Sequence, residues 1–500
     1  MACVIGVDGG TESLRAHVFD LRGRSLGSGV AAYATAFPAP ARAEQEPRDW
    51  WRALGEAVRG AVHDAGVAAR DVVAMALDTT SCTVVLLDAD GEPLRPALLW
   101  MDVRAADEAA AVLRTGDPAL ALNGAGAGPV SAEWMLPKAL WLKRHERALY
   151  DRAATVCEYQ DFLVRRLTGR SVASLTTASI RWHYRNRDGG WPDSLLRALD
   201  LADLRHKWPA EVVAPGTVIG PLTRQAASHL GLAPSTRVVQ GGADAFIGTI
   251  GLAVSQPGQA ALVTGSSHLQ LAVTAEPVHA RGLWGSYADA VYAGRHVLEG
   301  GQNATGSMIA WLRRFIGTDA DLASLNQEAA RIAPGSDGLV VLDHFQGNRT
   351  PHTDAHSRGA LVGLSLSHTR AHVFRAMIES ISLGTRTILD AMAAAGVSVR
   401  EMTVGGGAVR SPLWLQIHAD TANVPVRVAA FADAPVLGCA VLAAAGAGEF
   451  DDIDAGIGAM VRVDRVIEPD AANAARYAEL LDRYVSLYPT LKRWRDASVE

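Results

Sequence analysis

The chain has 500 residues, 49% of them hydrophobic and 20% charged, and its 47 basic against 53 acidic residues give a net charge of −6. That length exceeds what one hydrophobic core serves, so at least two domains are expected, and the charge balance excludes the electrostatic footprint of a nucleic-acid binder. Cys3, Cys82, Cys157 and Cys439 form no CxxC pair, which argues against a disulfide framework or zinc site. No signal-like leader and no apolar run of membrane-spanning length stands in the sequence, so a cytoplasmic location without a membrane partner is expected.

Residues 3–7 read as a strand that runs into Asp8-Gly9-Gly10-Thr11-Glu12-Ser13, then into a second strand at 14–19 and, after a turn, a third. A glycine-bearing hairpin with hydroxyls at its tip suits a phosphate. Its backbone N–H groups would face the anion, and Asp8 could hold a hydrated Mg²⁺. For a lone DGGT an ordinary tight hairpin is the alternative. Residues 48–66 carry helical periodicity, and 72–77 read as a buried strand leading to Asp78-Thr79-Thr80-Ser81-Cys82-Thr83 and a further strand at 84–87. A strand at 97–100 delivers Asp102 and Arg104 to its C-terminal end, where α/β folds place ligands; an ion pair at a helix start is the alternative. Residues 123–129 form a glycine-rich loop, and helices are expected over 131–142 and 159–167. Arg181-Trp182-His183-Tyr184-Arg185 is either a surface on which a sugar stacks or a half-buried structural cluster.

The β-branched run at 236–240 reads as a strand and precedes Gly241-Gly242-Ala243-Asp244-Ala245-Phe246. Asp244 thus sits at a strand end, on a turn whose glycines let backbone and ligand approach closely. An acid presented there could take a proton from a substrate hydroxyl; a helix N-cap is the alternative. Beyond it the opening pattern returns, with a strand at 260–263, a Thr264-Gly265-Ser266-Ser267 tip and a strand at 268–273. The repeat implies two related α/β halves, each opening with a phosphate-facing hairpin. Glu299 ends a strand beside Gly300 and Gly301, placed to face a ligand, and a helix follows over 304–316. Then come a polar loop at 347–354, a long apolar helix at 371–395, and a strand ending in Gly405-Gly406-Gly407-Ala408 that opens a helix over 411–422. A small-residue helix at 435–445 and a surface helix at 471–487 complete the chain.

Taken in order, DGGTESLR, GGADAFIG, TGSSHLQL and TVGGGAVRSPLWLQIHAD resemble the motifs of the FGGY carbohydrate kinases, and the likeness spans nearly the whole chain. The resemblance implies an α/β fold of two actin/hexokinase-like (ribonuclease H-like) domains with a cleft between them. Residues 1–245 would bind the sugar and carry the first phosphate motif, 246–490 would bind the nucleotide, and 491–500 would be a tail. It implies ATP and Mg²⁺ as cofactors, Asp244 as general base, and Asp8 as the acid near the metal. Gly9, Gly10, Thr11, Gly265 and Ser266 would contact phosphate, and Gly406, Gly407 and Ser411 would form the adenine and ribose shelf. LDTTSCTVV, LEGGQNATG and GNRTPHTD are similar to the ribulokinase branch. That implies sugar contacts at Ser81, Arg181 and Glu299 besides Asp244, although the branch usually has lysine where Arg181 stands. LWMDVR resembles the family's substrate-side strand end and gives Asp102 and Arg104 a supporting role.

The implied activity is ATP-dependent phosphorylation of a ketopentose such as ribulose, or of a close polyol. The alternatives are a kinase for xylulose, erythritol or glycerol, and a non-catalytic actin-fold ATPase or sugar sensor. No basic helix-turn-helix stretch stands at either end, and Asp244 favours a kinase over a sensor. The partners implied are a small sugar and ATP, without nucleic acid, and a homodimer is compatible with them.

Overall fold

A computed structural model describes residues 2–497 apart from 127, 129 and 318–320. Ala127 and Pro129 of the glycine-rich stretch, and 498–500 of the expected tail, therefore lie outside the described residues.

Two sheets share one strand order. In the first, β1 (Cys3–Gly9), β2 (Ser13–Asp20) and β3 (Ser25–Ala32) form an antiparallel meander, and β4 (Val72–Thr79) and β5 (Arg237–Val239) add in parallel, giving β3-β2-β1-β4-β5. The second sheet repeats this with β6 (Gln259–Thr264), β7 (His268–Thr274), β8 (His296–Gln302), β9 (Glu401–Gly406) and β10 (Val426–Ala429), in the order β8-β7-β6-β9-β10. Further edge strands extend both sheets. The recurrence of strand, tip and strand seen in the sequence is thus a recurrence of topology.

Every residue of β1 is buried, because helices cover both faces of the sheet. Ile5 and Val7 join Trp50 and Leu54 of α1 (Pro47–Ala65) in one core, while Val4, Ala74 and Ala76 face the other way. That second face is covered by α2 (Asp244–Gly251) and by a helix from the far half of the chain, Ala434–Gly446. Glycine makes the approach feasible. A Cβ on Gly6 would lie 1.9 Å from the carbonyl oxygen of Val436, and one on Gly438 would lie 2.3 Å from that of Ile247. Backbone therefore touches backbone where this helix meets β1 and α2.

The long apolar helix is Arg370–Ala394, as expected, and buries Phe374, Met377 and Ile381. The last helix, Ala471–Ala497, runs ten residues further than its expected end at 487, so no separate tail begins at 491. Tyr488 and Leu491 pack against a cluster around Leu342 and Leu383, and Arg495 pairs with Asp354 at 3.2 Å. Among the described residues no helix is long and apolar enough to cross a membrane.

Candidate active site

Two cavities adjoin where the halves meet. One, of about 300 Å³, is lined by Thr11, Ser81 and Arg181 from the first half, by Asp244, and by Gly265, Trp284 and Arg349 from the second. The other, of about 380 Å³, is lined by Arg15, the glycines at 405–407, Arg410 and Asp433. Ala245 and Val263 belong to both. Asp244 therefore stands at the junction.

Asp244 is the first residue of α2, and the N-cap position falls on Ala243. Its Oδ1 accepts a hydrogen bond from the Ala245 N–H at 2.7 Å, so the carboxyl is oriented by its own helix start without serving as a cap. Burial pushes its pKa up to about 7, the negative charge of Asp8 pushes the same way, and the Ala245 amide opposes both.

Asp8 lies at the end of β1 in register with Arg15 on β2 and Asp78 on β4. Arg15 pairs with Asp8 and also reaches Asp433 at 2.8 Å, which joins the two halves. Oδ1 of Asp8 is buried with no hydrogen-bond partner, and so is Oδ1 of Asp78. Burial, followed by the charges of Asp8 and Asp244, raises the Asp78 carboxyl well above the usual range, and the Cys439 thiol donates to it at 3.3 Å. An orphaned carboxylate oxygen beside the cleft fits a divalent cation. Among the described residues no three His, Cys, Asp or Glu side chains are grouped to hold a metal. A single free carboxylate oxygen is compatible with Mg²⁺, which keeps much of its water and takes one or two carboxylates plus phosphate oxygens.

The hairpin tips answer the expectations unevenly. Thr11 lines the first cavity, its Oγ1 accepting from Trp100 Nε1 at 3.0 Å. Gly9 is enclosed, its carbonyl taken by the Thr80 amide at 3.0 Å, and the Gly10 N–H is spent on Ser13 O at 3.1 Å. Gly265 lines the cavity, whereas Ser266 is exposed and does not. The Ser266 carbonyl accepts from the amides of Thr305 and Ser307, at the start of the helix Gly306–Phe315. Ser267 takes its place on the cavity wall.

Gly406 and Gly407 line the second cavity as expected. Gly406 has φ +89°, and a Cβ there would lie 1.9 Å from the Thr264 carbonyl, so the ends of β6 and β9 meet only because it is glycine. Ser411 does not line this cavity. It caps Pro412–Ala422, its Oγ accepting from Trp414 N–H at 3.1 Å and donating to Asn326 Oδ1 at 2.5 Å. Val409 and Arg410 occupy the wall instead.

Ser81 lines the first cavity on a turn that Cys82 completes with φ +67°. The turn is anchored from behind. The Cys82 N–H donates to Glu158 at 2.7 Å, and the buried Lys138 donates to the Cys82 carbonyl at 2.7 Å. Arg181 also lines the cavity, whereas Trp182 beside it is a core residue that stacks on Trp208 at 5.3 Å, and Tyr184 and Arg185 line a separate cavity.

Glu299 is not at a strand end. β8 continues through Gln302, and Glu299 is fully buried in mid-strand, behind Arg181. Its carboxylate accepts from Arg181 Nη2 at 2.8 Å, from Nη1 at 3.0 Å and from Tyr287 Oη at 3.0 Å. Burial pushes Glu299 up, but Arg181 outweighs it and holds the carboxyl below the usual range. Asp102 and Arg104 likewise lie outside both cavities and form a closed ion pair. Arg104 Nε donates to Asp102 Oδ1 at 2.8 Å, Nη2 reaches Glu44 at 2.6 Å, and the guanidinium lies 4.9 Å over Trp141.

Asp433 and Trp284 escaped the sequence reading, and Arg15 and Arg349 stood inside quoted motifs without a role. Arg15 stands within the quoted DGGTESLR motif and, opposite Asp8 across a predicted hairpin, was open to discovery by strand register.

Two family models match. Residues 3–251 match the N-terminal domain, and 260–447 the C-terminal domain, of the FGGY family of carbohydrate kinases. The chain is 32% identical to a protein named ribulokinase from Shouchella clausii, over 97% of this chain and 94% of that one. It is 30% identical to one of the same name from Geobacillus thermodenitrificans, over 99% and 97%. Among solved structures, a xylulose kinase from Rhodospirillum rubrum superposes with a TM-score of 0.86 at 29% identity, over 98% of this chain and 99% of that one. The expected fold of two actin/hexokinase-like α/β domains is therefore the one found.

Proposed function

The chain belongs to the FGGY family of carbohydrate kinases, and on that footing we propose that it transfers the γ-phosphate of ATP to a hydroxyl of a ketopentose of the ribulose type. The observation that carries this reading is the place of Asp244. A carboxyl brought to about 7 stands at the junction of a cavity with polar and aromatic walls and a second cavity walled by the glycines of a strand end. The sugar occupies the first and the nucleotide the second, with 1–245 and 246–490 as the two domains. Two relatives named ribulokinase, alike over almost their full length, support the choice of ketopentose.

In phosphoryl transfer the protein mainly positions groups and stabilises charge. Asp244 accepts the proton of the attacking hydroxyl. Thr11, Gly265 and Ser267 border the space between hydroxyl and nucleotide and orient the phosphate tail. Asp8 offers its free Oδ1 to Mg²⁺, which when bound would neutralise charge on the phosphate oxygens. Arg15, gripping Asp8 and Asp433, keeps the two halves in register around the transfer path. The test is ADP release by the purified protein across pentuloses, pentitols and tetritols. Release with ribulose in excess of the others is the expected result. A preference for xylulose would move the reading to the class of the Rhodospirillum neighbour, and no release with any of them would overturn it.

A further inference from the structure

We propose that the end of the last helix tunes the sugar cavity from outside it, with Tyr488 and Arg495 as positioning residues that hold the loop bearing Arg349. The inference rests on the sugar-kinase reading above. Arg349 lines the cavity that holds Asp244 and Arg181. The two arginines are located in different ways. Arg181 is held by its own partners, Glu299 and, at 3.2 Å, Tyr287 Oη. Among the described residues Arg349 has no carboxylate within ion-pair distance and donates to no protein acceptor. Its guanidinium carbon lies 4.0 Å from the centre of the Trp284 ring, and its stem packs on Gly301, where a Cβ would come within 3.0 Å of Arg349 Cδ. A long side chain without a polar anchor takes its position from the backbone that bears it. What fixes that backbone therefore fixes Arg349.

The backbone forms a closed loop. The amides of Asn348 and Asp354 each donate to the other's carbonyl, at 2.8 and 2.9 Å, and the Thr350 amide ties the loop to Gly301 of β8 at 3.2 Å. The last helix grips it from another side. Asp354 Oδ2 accepts from Tyr488 Oη at 3.1 Å and from Arg495 Nη1 at 3.2 Å. The His352 ring stacks on that of Tyr488 with centroids 3.8 Å apart and planes within 12°. Loop and helix leave a cavity of about 270 Å³ between them, lined by Asn348, Pro351, His352, Tyr484 and Tyr488 among others. The grip therefore depends on the stack and on the Asp354 contacts. The buried residues of the helix, Tyr477, Leu480 and Tyr484, all precede Tyr488, so the core is anchored upstream of the turns that hold the loop.

The test is a double-mutant cycle on kcat/KM for the best sugar in the ADP-release assay, with Tyr488→Ala, Arg349→Gln and the two combined. Tyr488→Ala is expected to lower kcat/KM by about 10- to 100-fold, the scale of a misplaced positioning group, with KM for ATP unchanged. In the Arg349→Gln background the same substitution is expected to cost less than about twofold, because the group it positions is gone. Tyr488→Phe keeps the stack but loses a hydrogen bond, and should fall between wild type and Tyr488→Ala. Equal losses from Tyr488→Ala in both backgrounds would overturn the inference, since the helix would then serve only the fold. So would wild-type kcat/KM in either Tyr488→Ala or Arg349→Gln. If Tyr488→Ala melts below the assay temperature, Arg495→Ala at the part-exposed helix end runs the same cycle. Its expected loss is about two- to fivefold, the scale of one exposed ion pair, and that loss should vanish in the Arg349→Gln background. A loss that persists there would overturn the inference. A wild type that releases no ADP with any sugar would overturn the kinase reading and this inference with it, a failure distinguishable from the others.

Discussion

Arg181 and Glu299, which come from different halves of the chain, form a two-pronged ion pair at 2.8 and 3.0 Å with Tyr287 closing its third side. The guanidinium faces the cavity and the carboxylate stands behind it. Glu299 thus acts on a sugar only through Arg181. Removing one partner of a buried pair leaves the other charge uncompensated, at a cost of about 3–5 kcal/mol. Glu299→Ala is therefore expected both to lower the melting temperature and to raise KM for the sugar, with KM for ATP little changed. Thermal denaturation and steady-state kinetics on the one variant check this. A stable variant with altered selectivity alone would mean direct contact with the sugar.

Asp244 predicts a pH profile. A general base works when ionised, so kcat/KM for the sugar is expected to rise with pH through about 7 and level off above it. Asp244→Asn is expected to lose roughly 10² to 10⁴ in turnover and the ascending limb with it. Its stability should move the other way. The folded pKa lies above that of an unfolded aspartate, so the folded state holds the proton more tightly, and this contribution to stability is lost as pH rises through about 7. At pH 8 the asparagine variant is accordingly expected to melt above the wild type, by about 2 °C or more. Calorimetry at pH 5 and pH 8 tests the sign.

Asp8 predicts a metal dependence. Asp8→Asn removes the charge but keeps the size of the side chain, and the Mg²⁺ concentration for half-maximal rate is expected to rise by about tenfold or more, with sugar binding preserved. An unchanged Mg²⁺ titration would remove Asp8 from the metal site.

Ser411 separates a cap from a ribose contact. Ser411→Ala is expected to cost about 1 kcal/mol of stability, the usual value of a lost N-cap. KM for ATP should not move, because the hydroxyl is already committed to Trp414 and Asn326. A several-fold rise in that KM without a stability loss would restore the ribose shelf.

The elements legible in the sequence are those whose signals are local. The paired hairpins show as apolar runs around glycine and hydroxyl tips, and Asp244 shows as an acid among glycines after a β-branched run. What the sequence hid depends on partners far along the chain. Glu299 looks like a strand end because two glycines follow it, yet those glycines lie inside β8, where Gly300 packs against Ile388 and Gly301 against Arg349. Asp102 looks like a ligand contact until Glu44 and Trp141 close over Arg104. Ser411 has the local signature of a helix cap, and the motif likeness pulled it toward the nucleotide. Arg349 sits in a polar loop with no periodicity, and only Trp284 reveals where its side chain points.

The helix Ala434–Gly446 lies with its backbone against Gly6, so a strand made early in the chain is completed by a helix made more than 400 residues later. Until that helix is made, the apolar face bearing Val4, Ala74 and Ala76 is at most partly covered, by α2. A fragment ending at residue 245 would keep this exposed sheet face and would be prone to aggregate, although its strand order is complete. Expression of the halves in separate cells is therefore a poor route to either. Co-expression of the two as separate chains should recover soluble material, because what the first half lacks is an occupant for its sheet, not a covalent link.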